Sequence, residues 1–196
     1  MDTILAAQAH FPHRVVIVHG YGATPESHWF PWLAETLKKH GTTVQVVTLR
    51  DSEAPEAVVW ERSVADALGY PDESTWIVAH SLGCVTALRV LASLAGPWKL
   101  AGVVLVAGFT GPLVALPVLN AYLDTDVDAE AVAKNIRTRI VVRSDSDPYV
   151  PAAATNALAK RLDAEMRIER NAGHFLAEDG VTELPMLIEA LGGVHR

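Results

Sequence analysis

The stretch Trp76-Ile77-Val78-Ala79-His80-Ser81-Leu82-Gly83-Cys84-Val85 decides the reading of this chain. Its first four residues are a continuous apolar run of strand length. From Leu82 to Ala95 apolar residues recur at spacings of three and four, the signature of a helix. Strand and helix therefore meet across His80-Ser81 with no linker between them. A nucleophile elbow is built this way, with a serine on a strained strand-to-helix turn whose hydroxyl projects above the sheet. The turn crowds the positions two before and two after the serine, so both must be small, and Ala79 and Gly83 stand there. Alanine at the first of them departs from the common glycine by one methyl group. The helix N-terminus beyond Ser81 favours negative charge developing nearby. The plainer reading is a serine that only caps a helix, so the rest of the chain has to decide.

Outward from this turn, short β-branched runs alternate with helical stretches. Apolar runs at Val15–Val18, Val44–Leu49, Trp76–Ala79, Val103–Val106, Ile140–Val142 and Met166–Ile168 read as six strands. Several are continuous, as strands buried on both faces of a parallel sheet are. Helical periodicity covers Trp29–His40, Glu56–Leu68, Leu82–Ala95, Asp128–Arg137, Ala152–Leu162 and Val181–Leu191, and Gly41, Gly69 and Gly96 follow three of the ends. The alternation predicts a doubly wound α/β fold: one domain over 1–196, a mainly parallel sheet in the order 2-1-3-4-5-6, and helices on both faces. The least regular segment, Phe109–Leu123, is rich in Gly and Pro yet apolar. It is a candidate pocket wall or small lid, or else a loop that merely covers the core.

Ligands of open α/β sheets bind beyond the carboxyl ends of the strands, so the residues after each run matter most. They are His19-Gly20-Tyr21-Gly22 after the first, His80-Ser81 after the third, Ser144-Asp145-Ser146-Asp147 after the fifth and Asn171-Ala172-Gly173-His174 after the sixth. A serine hydroxyl needs a base to take its proton, and the base needs a group to orient it. Ser81, Asp147 and His174 follow the order serine, acid, histidine known for such sheets. Asp147 is preferred to Asp145 because Pro148 and Pro151 stiffen the turn that carries it, which leaves Asp145 as a solvated carboxylate. The backbone N–H groups of Leu82 and Tyr21 are the expected oxyanion donors. Gly20 and Gly22 would let the backbone approach a substrate, and Trp29 and Phe175 are candidate substrate-contacting aromatics. His80 is expected to be architectural and to point away from the nucleophile. His10, His13, His40 and His195 read as solvated or structural.

A net charge of −7 with scattered Lys and Arg argues against a nucleic-acid surface. The single cysteine, Cys84, excludes an intrachain disulfide framework, fits a cytoplasmic setting and is expected to be structural. Ala7-Gln8-Ala9 resembles a cleavage site, but Asp2 and the short run Ile4–Ala7 speak against a signal peptide. No apolar run is long enough to span a membrane. Gly20-Tyr21-Gly22 fails as a dinucleotide fingerprint, because Pro25 stands at the third glycine. Asp124, Asp126 and Asp128 begin like a calcium loop, but Ala129 and Asn135 replace its glycine and terminal glutamate. No metal or organic cofactor is implied.

His19-Gly20-Tyr21, the run His28-Trp29-Phe30-Pro31-Trp32-Leu33, the elbow Val78 to Cys84 and Gly173-His174-Phe175 resemble the retinoblastoma-binding-protein-9/YdeN-type serine hydrolases of the α/β-hydrolase fold. Alanine before His80 is similar to what occurs in that branch. The resemblance implies a compact fold with little or no cap, and by motif match the triad Ser81, Asp147 and His174. The expected chemistry is acyl transfer from a small ester, or a related acyl substrate, to water. A second function class stays open: a protein-interaction module with incidental hydrolysis, since the resemblance also implies binding partners.

Overall fold

A computed structural model describes residues 11–192; the N-terminal segment weighed as a signal peptide, with His10 and His195, lies outside them. Strands β1 (Arg14–Val18), β2 (Thr43–Val47), β3 (Thr75–His80), β4 (Leu100–Val106), β5 (Ile136–Ser144) and β6 (Glu165–Glu169) form one sheet. Its order is β2-β1-β3-β4-β5-β6 and every neighbouring pair is parallel. The helices are α1 (Phe30–Lys39), α2 (Ala57–Leu68), α3 (Leu82–Ser93), α4 (Ala129–Ala133), α5 (Ala152–Leu162) and α6 (Met186–Leu191).

Continuous apolar strands bury both faces, and the two cores divide the side chains of β3 between them. Ile77 and Ala79 join the larger core with Trp60, Val85, Leu88 and Leu158, from α2, α3 and α5. Trp76 and Val78 join the other with Phe30, Leu33, Leu37, Leu187 and Leu191, from α1 and α6. β3 thus runs through the middle of the sheet with all six residues buried. Its C-terminal end, where Ser81 follows, is anchored from both sides.

Two predicted helices are shorter than their periodicity suggested. The one expected over Asp128–Arg137 stops at Ala133, because Ile136 already pairs with Leu100 and opens β5. The last begins only at Met186, since Pro185 lacks the N–H and disfavours helical backbone before it. The acidic alternation has ordinary work: Asp126 pairs with Arg161 at 3.0 Å, and Asp128 accepts the Ala131 N–H at 2.9 Å as the cap of α4. Cys84 is buried, its thiol pushed far up by that burial, which fits a structural role. Among the described residues no helix is long and apolar enough to cross a membrane.

Candidate active site

Ser81 has φ 53° and ψ −122°, backbone that only a well-braced turn holds a serine in. Bracing comes from two sides. The Ser81 N–H donates to the Val106 carbonyl at 2.9 Å, which ties the turn to the end of β4. Behind it α3 approaches β1 so closely that a Cβ on Gly83 would lie 2.3 Å from the His19 carbonyl oxygen. Gly20 is similarly confined, since a Cβ there would meet the Ser81 Cβ at 2.9 Å. Ala79 is fully buried in the larger core, so its methyl group is accommodated by packing.

His174 Nε2 lies 2.9 Å from Ser81 Oγ, and His174 Nδ1 lies 2.8 Å from Asp147 Oδ2. An ionised carboxylate only accepts, so Nδ1 carries the proton and Nε2 is left to accept from the serine hydroxyl. The His174 and Asp147 side chains are 7% and 5% exposed, which keeps water from competing for this pair. The other oxygen of Asp147, Oδ1, accepts the Tyr149 and Val150 N–H groups, both at 2.9 Å. The carboxylate is thus fixed by its own turn before it meets the histidine.

The loop that carries His174 is held by side-chain acceptors on two sides. Asn171 N–H donates to Asp145 Oδ1 at 2.7 Å, Ala172 N–H to Ser144 Oγ at 3.2 Å and Gly173 N–H to Ser146 Oγ at 3.2 Å. Beyond them, Asp179 Oδ2 accepts the His174 N–H at 2.7 Å and the Leu176 N–H at 3.1 Å. The Asp179 carboxylate sits where a Cβ on Gly173 would fall, 2.2 Å from its Cγ, and Gly173 has φ +51°. Asp145 is exposed, as expected of a solvated carboxylate, but it is not idle: it stitches the Asp147 loop to the His174 loop. Asp179 and the two serines escaped sequence reasoning, because their work is to accept backbone N–H groups and no motif announces it.

Two further histidines pack near His174. His80 is buried, its ring centroid 5.0 Å from that of His174, and its Nε2–H donates to the His174 carbonyl at 2.9 Å. Burial pulls the His80 pKa well below its ordinary value, so the ring is neutral at neutral pH. His80 thus has the architectural role expected of it, holding the His174 backbone in place, and it is among the residues that line the cleft. His28 accepts the Ala177 N–H on Nδ1 at 3.0 Å and is also lowered by burial. Buried after β1, His19 donates from Nδ1 to the Gly20 carbonyl at 2.9 Å and accepts the Leu49 N–H on Nε2 at 3.2 Å. That clamp fixes the loop carrying Tyr21. Neither the Tyr21 nor the Leu82 N–H has a protein acceptor among the described residues.

Above Ser81 opens a cleft of about 180 Å³, lined by Tyr21, His80, Ser81, Leu116, Tyr149, His174 and Leu176. Two expected aromatics are not there. Trp29 and Phe175 are fully buried in the core beneath α1 and α6, because the helix entry and the loop direct both rings inward. Gly22 does not line the cleft either: it has φ +67°, faces Glu53 and donates its N–H to the Ser52 carbonyl. Gly20 serves close packing against Ser81 and does not line the cleft.

The sequence profile of the serine hydrolase family matches residues 15–192, nearly the whole described chain. The chain belongs to the serine hydrolase family. Among members, YdeN of Bacillus subtilis is 33% identical over 178 residues, 91% of this chain and 94% of that protein. The serine hydrolase RBBP9 of Rattus norvegicus is 26% identical over 168 residues, 84% of this chain and 88% of that one. The crystal structure of the Bacillus protein superposes with a TM-score of 0.87, covering 91% of this chain and 96% of the other. The serine hydrolase assignment and the α/β-hydrolase fold thus agree with the sequence reading.

Proposed function

We propose that this serine hydrolase cleaves small carboxylic esters through an acyl-enzyme on Ser81. The observation that carries this reading is the unbroken hydrogen-bonded row Asp147–His174–Ser81 at the floor of an apolar cleft. Ser81 Oγ attacks the carbonyl carbon while its proton passes to His174 Nε2. Asp147 holds the ring in the Nδ1–H tautomer and stabilises the imidazolium that forms. The carbonyl oxygen gains the negative charge and is met by the Tyr21 and Leu82 N–H groups, with the α3 N-terminus behind them. The carbon–oxygen bond to the alcohol then breaks, and His174 returns its proton to the departing oxygen. Water repeats the sequence on the acyl-enzyme and releases the acid.

His80 and His28, being neutral, add no positive charge to compete with the imidazolium of His174. The cleft is smaller than the roughly 300–1,000 Å³ of sites for drug-sized ligands, which favours short acyl groups. The test is turnover of p-nitrophenyl acetate by wild type and Ser81→Ala. The proposal predicts saturable hydrolysis by wild type and a loss of at least about 10⁴-fold in kcat for the variant. Folded wild type that hydrolyses no ester, or a variant that keeps the rate, overturns it.

A further inference from the structure

The apolar and aromatic walls of the cleft come from four loops: Tyr21 follows β1, Leu116 follows β4, Tyr149 follows β5 and Leu176 follows β6. Proton bookkeeping in the proposed reaction sorts them, and the sorting rests on that reading. His174 hands its proton to the leaving oxygen, so the alcohol departs toward Nε2 and lies among side chains held by the acid and histidine loops. Tyr149 meets the His174 ring edge-on at 5.3 Å, and Leu176 is two residues beyond His174. Leu116 belongs to neither loop. It reaches the cleft from the 109–123 excursion, which carries no catalytic group.

We infer that Leu116 closes the acyl end of the cleft and sets acyl-chain length, whereas Leu176 faces the alcohol. The 109–123 segment is built as a fixed wall. Leu113 and Leu119, buried on either side of Leu116, anchor it in the larger core. The Leu116 N–H donates to the Leu113 carbonyl at 3.2 Å, and its own carbonyl accepts the Leu119 N–H at 3.0 Å. All fifteen residues from 109 to 123 are uncharged. Val114 and Val118, two positions to either side of Leu116, are 98% and 63% exposed. Shortening Leu116 therefore opens the cleft onto apolar surface that a longer chain can follow. A charged rim would have repelled it.

The test uses two substrate series on the full chain. In one, p-nitrophenyl acetate, butanoate and octanoate vary the acyl group. In the other, ethyl and hexyl acetate, followed by pH-stat, vary the alcohol. Leu116→Ala should raise the octanoate-to-acetate ratio of kcat/KM at least tenfold, in the range that apolar pockets discriminate methylene groups. Leu116→Trp should lower the butanoate-to-acetate ratio. Neither should move the hexyl-to-ethyl ratio more than twofold, while Leu176→Ala should move that ratio and leave the acyl ratio within twofold. Turnover with an unmoved acyl ratio in both Leu116 variants, or Leu116→Ala shifting the alcohol series equally, overturns this assignment alone. Absence of turnover by folded wild type on both series overturns the ester reading and this assignment with it.

Discussion

Replacing Asp147 with asparagine exchanges one oxygen for an amide nitrogen, and the surroundings dictate which one. Oδ1 accepts two backbone N–H groups, from Tyr149 and Val150, each at 2.9 Å. An asparagine amide turned toward those donors would leave both unsatisfied, so its oxygen must stay there. The NH2 group then faces His174 Nδ1, where a carboxylate oxygen accepts at 2.8 Å. Nδ1 has to become the acceptor, the ring proton moves to Nε2, and Nε2 now donates toward Ser81 Oγ where it should accept. The fold is untouched, but the base holds its proton on the wrong nitrogen. In a serine protease triad the same exchange lowers kcat about 10⁴-fold, roughly 5 kcal/mol in the barrier. The assay is kcat on p-nitrophenyl acetate, with circular dichroism as the fold control. Asp145→Asn is the matched comparison. It keeps an acceptor oxygen for the Asn171 N–H and should lose less than about tenfold, since no tautomer changes. An Asp147→Asn enzyme within tenfold of wild type, or a larger loss for Asp145→Asn, would refute the tautomer argument.

Other perturbations reach the same site by different routes. Gly83→Ala places a methyl group against the carbonyl oxygens of His19 and Val18, which cannot rotate away. Overpacking of about 1–3 kcal/mol should lower the melting temperature by about 2–12 °C, read by calorimetry; an unchanged melting temperature would contradict the packing described. Asp179→Ala frees the His174 and Leu176 N–H groups and lets the base drift. It should cost about 10²-fold in kcat with KM within threefold, and Asp179→Asn, which keeps an acceptor, should recover most of it; equal losses in both variants would point to a different role. Burial holds the His80, His19 and His28 pKa values below 6.5 in the folded chain, while the unfolded chain protonates them near 6.5. Below that pH the unfolded state binds more protons, so stability falls on acidification, by up to about 1.4 kcal/mol per pH unit from His80. Urea midpoints at pH 7.5, 6.5 and 5.5 should fall in that order, and a flat or rising series would show the rings to be charged in the native state.

What could be read from the sequence follows how local the determining physics is. The elbow is legible because strand, turn and helix are consecutive, and the small residues it needs sit two positions on either side of Ser81. Sheet order and the rim carrying Ser81, Asp147 and His174 are legible because parallel strands put every strand-end loop on one side. The cleft walls are not. Trp29 and Phe175 have the composition of pocket residues, but composition does not tell which way a ring points, and both serve the core beneath α1 and α6. Leu116, Tyr149 and Leu176 line the cleft only because three distant loops converge. The stitching of residues 144–146 to 171–173, and the support of His174 by Asp179, are contacts from side chains to backbone N–H groups. Any polar side chain can make such contacts, so no pattern marks them. The partner of the His80 ring is illegible for a related reason: it is the His174 carbonyl, far away in sequence.

Every step of the proposed reaction depends on Ser81 being a nucleophile activated by His174. The most direct measurement is intact-mass analysis after treatment with a serine-directed fluorophosphonate, with peptide mapping of the product. Wild type should carry one adduct per chain, located on Ser81, Ser81→Ala should carry none, and labelling should slow by orders of magnitude in His174→Ala. Folded wild type that stays unmodified, or an adduct that persists in Ser81→Ala, would contradict this role for Ser81.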